Sequence, residues 1–288
     1  MTRIILNADD FGLAPGINQS IVELNRAGAL TSATLMATAA YTAPAAAETT
    51  ATSGLSIGCH IVLVDGRPAV PRASIPALAL ASGSFRPSLG SFVRDLMLGR
   101  IPESQIEDEA TAQIRHLQSL GVRIAHLDTH KHTHIFPRVL RPLLRAALGC
   151  GVRAIRNPFE PDWALKATRR APASRQVQIR LLRTQQREFL KLVKQAGLAT
   201  SDGAVGVLAT GTLNAETLSC LLNAMPNGTW EVVCHPGYVD ADLQRANTRL
   251  RESRAIEHAA LLEVVPRFLR DHPEIAAINF SQLRETIA

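Results

Sequence analysis

Short apolar runs alternate with longer helix-patterned segments along the whole chain, and this alternation restricts its folds more than any other feature. Residues 3–8, 33–38, 55–63, 122–127, 152–156, 204–209, 230–234 and 275–280 read as strands. Between them lie helical patterns. Pro15 opens one with Ile17, Ile21 and Leu24 at helical spacing. An Ala-rich helix runs to about Ser53, and others cover 103–120, 137–148, 215–224 and 249–270. Gly121 closes the helix over 103–120. Strand–helix alternation implies a parallel sheet with helices outside it. Neither a glycine-rich dinucleotide fingerprint nor a phosphate loop occurs, so an open doubly wound sheet is disfavoured. The expected fold is α/β, a distorted (β/α) TIM-like barrel of about seven strands.

The 288 residues, 46% hydrophobic and 19% charged, suffice for one large core and fall outside the disordered class. A single catalytic domain over 1–288 is expected. It carries a Pro-rich insertion near 64–90, of the kind that covers a site, and a basic helical segment near 166–194. No apolar run approaches the roughly 20 residues of a membrane span. The run Ile4-Ile5-Leu6 is too short for a signal-peptide core, so a cytoplasmic protein is expected. Cys59, Cys150, Cys220 and Cys234 form no CxxC pair, which argues against both a disulfide framework and a thiolate zinc site.

Charge is concentrated in one place. Nine Lys and Arg between Lys166 and Lys194 face Glu188 alone, exceeding the whole-chain excess of +6. The segment reads either as a solvated helix face or as a surface for anionic lipid headgroups. Nucleic acid is not expected, because no aromatic interleaving accompanies the charge.

Polar residues collect at the ends of the strands. Asp9 and Asp10 end the first, His60 lies near the end of the third, and Asp128, His130, His132 and His134 follow the fourth. Arg156 and His235 end two more. In a barrel of this kind the C-terminal strand ends converge on one mouth, where catalytic residues sit. If the chain stays extended, residues 128, 130, 132 and 134 share one face. Imidazoles in that array suit a divalent metal, with one or two binding and the rest orienting ligands or touching substrate. Two adjacent carboxylates at a strand's C-terminal turn can both address one site, one as ligand and one as general base. His235 is either a turn residue or an acid for the leaving group. His126 fits either the core or the support of a ligand, and His116, His258 and His272 read as surface residues.

These residues resemble the YdjC-like carbohydrate deacetylases. The resemblance rests on Asn7-Ala8-Asp9-Asp10-Phe11-Gly12, Gly58-Cys59-His60-Ile61, the run from His126 to His134, and Cys234-His235-Pro236-Gly237. It implies a polysaccharide-deacetylase-like barrel. It also implies one divalent metal, zinc or magnesium, on Asp10, His60 and His130, with Asp9 as base toward a water activated by the metal and His235 as the acid. Asp128, His132, His134 and Arg156 are left to substrate or supporting roles. Residues 62–68 and 154–158 look more like the hopanoid-associated branch than the chitooligosaccharide branch. The implied substrate is then an N-acetylglucosaminyl hopanoid glycolipid, with an oligosaccharide as the alternative, and contact with the inner membrane face would suit the former. Cys59 departs from the family, which usually has a bulkier apolar residue there. An amidohydrolase-type barrel would carry His-x-His on its first strand, and a decayed binding protein would lack a ligand or the base. Neither pattern matches.

Overall fold

The structure, a computed structural model, describes residues 1–51, 54–168 and 172–283. Ser53, Arg169 and Arg170 lie outside the described residues. The elements, in order, are β1 (Thr2–Phe11), α1 (Pro15–Arg26), β2 (Ser32–Leu35), α2 (Thr42–Ala51), β3 (Ser56–Ile61), α3 (Leu89–Met97), α4 (Glu103–Ser119), β4 (Ile124–Thr129) and α5 (Pro137–Gly149). They continue with α6 (Asp162–Ala167), α7 (Ala173–Leu182), α8 (Gln186–Gln195), β5 (Gly203–Val205), α9 (Ala215–Asn223), β6 (Gly228–Cys234), α10 (Ala241–Arg245), α11 (Glu252–Asp271) and β7 (Ala276–Ala277).

The seven strands form one parallel sheet in the order β4-β3-β2-β1-β6-β5, with β7 beside β1. It curls into a partial barrel in which β1 to β6 are largely buried and helices pack outside, whereas the two-residue β7 is partly exposed. The outer edges are joined by single bridges, Leu127 to Ile155 and Ala154 to Ala199, where the sequence predicts a full strand over 152–156. Pairing stops there because Pro158 has no N–H and the side chain of Asn157 replaces the ladder. Its Nδ2 donates to Ser201 O at 3.1 Å, and its Oδ1 accepts from Phe159 N at 3.2 Å. The strands expected over 204–209 and 275–280 are likewise short. The first ends at Val205, before Gly206, which sits at φ +88°. After β7 the chain turns so that Phe280 enters the barrel interior beneath His126.

The Pro-rich segment is irregular, as expected, and α4 fastens it. Ile106, Ala110, Ile114 and Leu117 bury one stripe of that helix. Gln105, Glu109 and Gln113, each one turn from the next, accept from the backbone N–H groups of Ala77, Ala69 and Val62 at 2.9, 2.7 and 2.9 Å. Backbone that lacks a ladder is thus satisfied by one helix face. Among the described residues no helix is long and apolar enough to cross a membrane.

Candidate metal centre

Asp9 and Asp10 reach the same rim because β1 breaks its alternation. The β1–β2 register shifts between Ala8 and Phe11, and Asp10 takes φ 65°, a left-handed conformation that Asp tolerates better than most residues. Both carboxylates are buried, and each meets its own arginine. Arg156 grips Asp9 through two bonds, Nη1 to Oδ2 at 2.8 Å and Nη2 to Oδ1 at 2.6 Å. Arg254, fully buried on α11, donates Nη2 to Asp10 Oδ2 at 2.5 Å. Burial opposes both charges. The Arg156 guanidinium nevertheless holds the Asp9 carboxyl well below the usual carboxylate range, and Arg254 does the same for Asp10.

The remaining oxygen of Asp10 faces two imidazoles. His60 Nε2 stands 3.6 Å from Asp10 Oδ1, and His130 Nδ1 stands 3.5 Å from the same atom. These separations are long for hydrogen bonds. Two ligands about 2.1 Å from one ion at tetrahedral angles stand roughly 3.4 Å apart. The three donor atoms lie within 4.8 Å of one another, so the set fits a single divalent ion. Asp128 supports it by binding His60 Nδ1 at 2.8 Å, which turns Nε2 toward Asp10. Burial opposes a proton on His60, yet Asp128, with Asp9 and Asp10 beyond it, pushes its pKa up to about 9. A second grouping of donors, Asp9, His60 and Asp128, has no such room. The Arg156 guanidinium fills it, reaching Asp128 Oδ2 at 2.5 Å and Glu231 Oε1 at 2.7 Å as well.

His235 completes the rim from β6. Its Nε2 is 3.8 Å from Asp9 Oδ2, and its backbone N–H donates to Glu257 Oε2 at 2.6 Å. Burial lowers its pKa to about 4 against the pull of Asp9 and Asp10, so the ring is neutral at rest. Asp9, Asp10, His60, His130, His132 and His235 all line one cavity of about 1130 Å³. Its polar floor gives way to apolar walls that include Leu89, Val93, Phe136, Ile179 and Leu182.

Two expectations require correction. Residues 128–134 are not one extended face. β4 ends at Thr129, and residues 130–135 form a 3₁₀ turn with Lys131 at φ 58° and His132 at φ 51°. That turn sends the histidines to different places. His130 faces Asp10 and His132 lines the cavity, whereas His134 is fully buried with Nδ1 on Thr129 Oγ1 at 2.6 Å, away from the cavity. His258 is buried rather than on the surface, with Nδ1 2.7 Å from Ser20 Oγ. His126 belongs to the core, stacked on Phe280 at 3.6 Å. Cys59 and Cys234 are buried strand residues with no part in the donor set.

Arg254, Glu231, Glu257 and Thr34 escaped the sequence reading. Thr34 Oγ1 donates to Asp9 Oδ1 at 3.1 Å. Three of the four left a trace. Glu231 is a lone acid inside an apolar strand, and Arg254 and Glu257 occupy the stripe that Leu261, Val265 and Phe268 bury on α11.

These features define an α/β protein with an Asp-His-His donor set at the C-terminal mouth of a curled parallel sheet. The chain belongs to the YdjC-like protein family, which matches residues 3–268. It is 31% identical over 246 residues to a carbohydrate deacetylase of Mus musculus, covering 82% of this chain and 78% of the relative. It is 27% identical over 285 residues to a carbohydrate deacetylase of Thermoanaerobacter pseudethanolicus, covering 99% of this chain and 100% of the relative. Its fold is similar to that of a candidate cellobiose-phosphate cleavage protein of Enterococcus faecalis, with TM-score 0.76 and 24% identity over 100% of this chain and 99% of the other.

Proposed function

We propose that this chain is a carbohydrate N-deacetylase that uses one divalent ion and acts on an N-acetylglucosamine group. The observation that carries the reading is the convergence of Asp10, His60 and His130 beside a separately held carboxylate, Asp9, on one cavity floor. The curated relatives named above add to it. The reading takes 1–288 as one catalytic domain, since the site draws on residues from β1 to α11.

An ion held by Asp10, His60 and His130, zinc or magnesium, would polarise the amide carbonyl and lower the pKa of a water beside it. Asp9, ionised and fixed by Arg156 and Thr34, takes the proton of the attacking water. Its depressed pKa makes it a weak base, so this transfer would need the acidity that a bound ion would give the water. His235 starts neutral. It relays that proton from Asp9, 3.8 Å away, to the leaving nitrogen, so that amine and acetate depart with the atoms of one water added. Asp128 and Arg156 hold His60 and Asp9 in place.

The finer reading is an N-acetylglucosaminyl hopanoid, met at the inner face of the cytoplasmic membrane. The apolar walls above the polar floor support an apolar aglycone over a second polar sugar ring. Acetate release from a panel of N-acetylglucosamine conjugates, with and without chelator, tests both levels. Wild type should release acetate only with metal, and Asp10→Ala should release none. Metal added back should raise the unfolding midpoint of wild type alone. Equal release by the two proteins refutes the mechanism, and release from chitobiose but not from the glycolipid refutes the hopanoid.

A further inference from the structure

We infer that α7 and α8 form a docking surface for an anionic lipid bilayer, oriented so that the cavity mouth opens onto the headgroups. The inference rests on the reading of the substrate as a glycolipid. Helix α7 is apolar on two sides. Ile179 and Leu182 wall the cavity, whereas Val177 and Leu181, one turn apart, stand 54% and 65% exposed. A helix that only faced water would carry polar residues at those positions. Arg180 lies between them, and Arg187 and Lys194 follow on α8, all exposed. None of these three makes an ion pair among the described residues, whereas Arg183 pairs with Asp162 and Lys191 with Glu188.

A second part of the cavity lining repeats the arrangement. Leu89 and Val93 of α3 line the cavity, and Met97 and Leu98 at the end of that helix are exposed. Five of the nine large apolar side chains exposed among the described residues therefore lie on α3 and the α7–α8 arm, which flank one opening. Exposed apolar residues for insertion, on helices that also carry exposed cations, are what an interface of anionic headgroups selects. A nucleic acid would use the cations but not Val177 and Leu181, and α7 and α8 expose no aromatic ring for base stacking.

Co-sedimentation of the full chain with vesicles tests the surface. Wild type should bind phosphatidylcholine mixed with phosphatidylglycerol, more weakly as salt rises, and should leave pure phosphatidylcholine in the supernatant. Each cation near such a surface is worth about 1 kcal/mol, or roughly fivefold. Arg180→Glu, Arg187→Glu and Lys194→Glu together should therefore cost at least about a hundredfold in vesicle affinity. Val177→Ser with Leu181→Ser should weaken the binding that survives high salt. None of these residues lines the cavity, so acetate release from a water-soluble N-acetylglucosamine conjugate should match wild type in every variant. That control also shows that the variants fold. Equal binding to neutral vesicles, unchanged binding by the variants, or retention on duplex DNA without vesicle binding overturns the docking surface and leaves the deacetylase reading intact. Vesicle binding as expected, with no acetate released from any conjugate, soluble or lipid-linked, upholds the surface and overturns the deacetylase reading.

Discussion

Gly58→Ala should destabilise the protein, and His126→Ala should relieve much of that loss. Gly58 precedes His60 by two positions on β3, so both face the same side of the strand. A Cβ built on Gly58 falls 2.4 Å from His126 Cε1, 2.6 Å from Nε2 and 2.7 Å from Nδ1. Ordinary carbon contacts lie near 3.5–4.0 Å, so ring or strand must give by about 1 Å. The ring cannot retreat. Phe280 stacks behind it at 3.6 Å and 11°, backed by the buried Ile5, Ala125, Ala154 and Leu283. Overpacking of this kind costs roughly 1–3 kcal/mol. At about 2–4 °C per kcal/mol for a chain of this size, the unfolding midpoint should fall by roughly 2–12 °C. His126→Ala alone leaves a cavity, partly offset by removing two buried ring nitrogens that have no hydrogen-bond partner. In the double variant the new methyl enters the vacated space, so the combined loss should fall short of the sum by about 1–3 kcal/mol. Calorimetry on the four proteins measures the cycle. A Gly58→Ala midpoint equal to wild type, or strictly additive losses, would refute the packing argument.

Arg156→Met removes the one cation shared by Asp9, Asp128 and Glu231. Breaking a buried pair from one side costs roughly 3–5 kcal/mol, so thermal unfolding should shift down by about 6–20 °C, and a shift of a degree or less contradicts the assigned role. Arg156→Lys should fall between the two, because an ammonium cannot grip Asp9 with two bonds. Burial pushes the Glu160 carboxyl up to about 7, although it accepts from Gly206 N and Leu208 N. The folded protein therefore holds this proton more tightly than the unfolded chain does. Stability should decline as pH rises from about 4.5 to about 7, by at most on the order of 3 kcal/mol. Glu160→Gln should shrink the difference in unfolding midpoint between about pH 5 and pH 8, and an unchanged difference refutes the assignment.

Much of the fold and the polar rim was legible because each rests on a local rule. Alternating periods of apolar residues announce strands and helices, and a strand's C-terminal end announces where Asp9, His60, His130 and His235 lie. The misreadings share a different cause. Lys131 and His132 adopt left-handed backbone that no side-chain pattern signals, so an alternating run that looks extended folds into a turn. The bridge at 154–155 stays short because Asn157 spends its amide on Ser201, a contact across 44 positions that the local sequence does not encode. His258 looked exposed because its partner Ser20 lies 238 positions away.

The same reasoning explains how two adjacent, chemically identical residues can do different work. Left alone, two neighbouring buried carboxylates would not both stay ionised, since each raises the other's pKa. Here Arg156, 147 positions from Asp9, and Arg254, 244 positions from Asp10, each neutralise one of them. Arg156 engages both oxygens of Asp9 and so fixes its orientation, as the proposed role of proton acceptor requires. Arg254 takes only Oδ2 of Asp10 and leaves Oδ1 to face His60 and His130. The dipeptide supplies two carboxylates, and the distant arginines decide which one keeps an oxygen turned toward the imidazoles. Nothing within the Asp9-Asp10 motif itself could distinguish them.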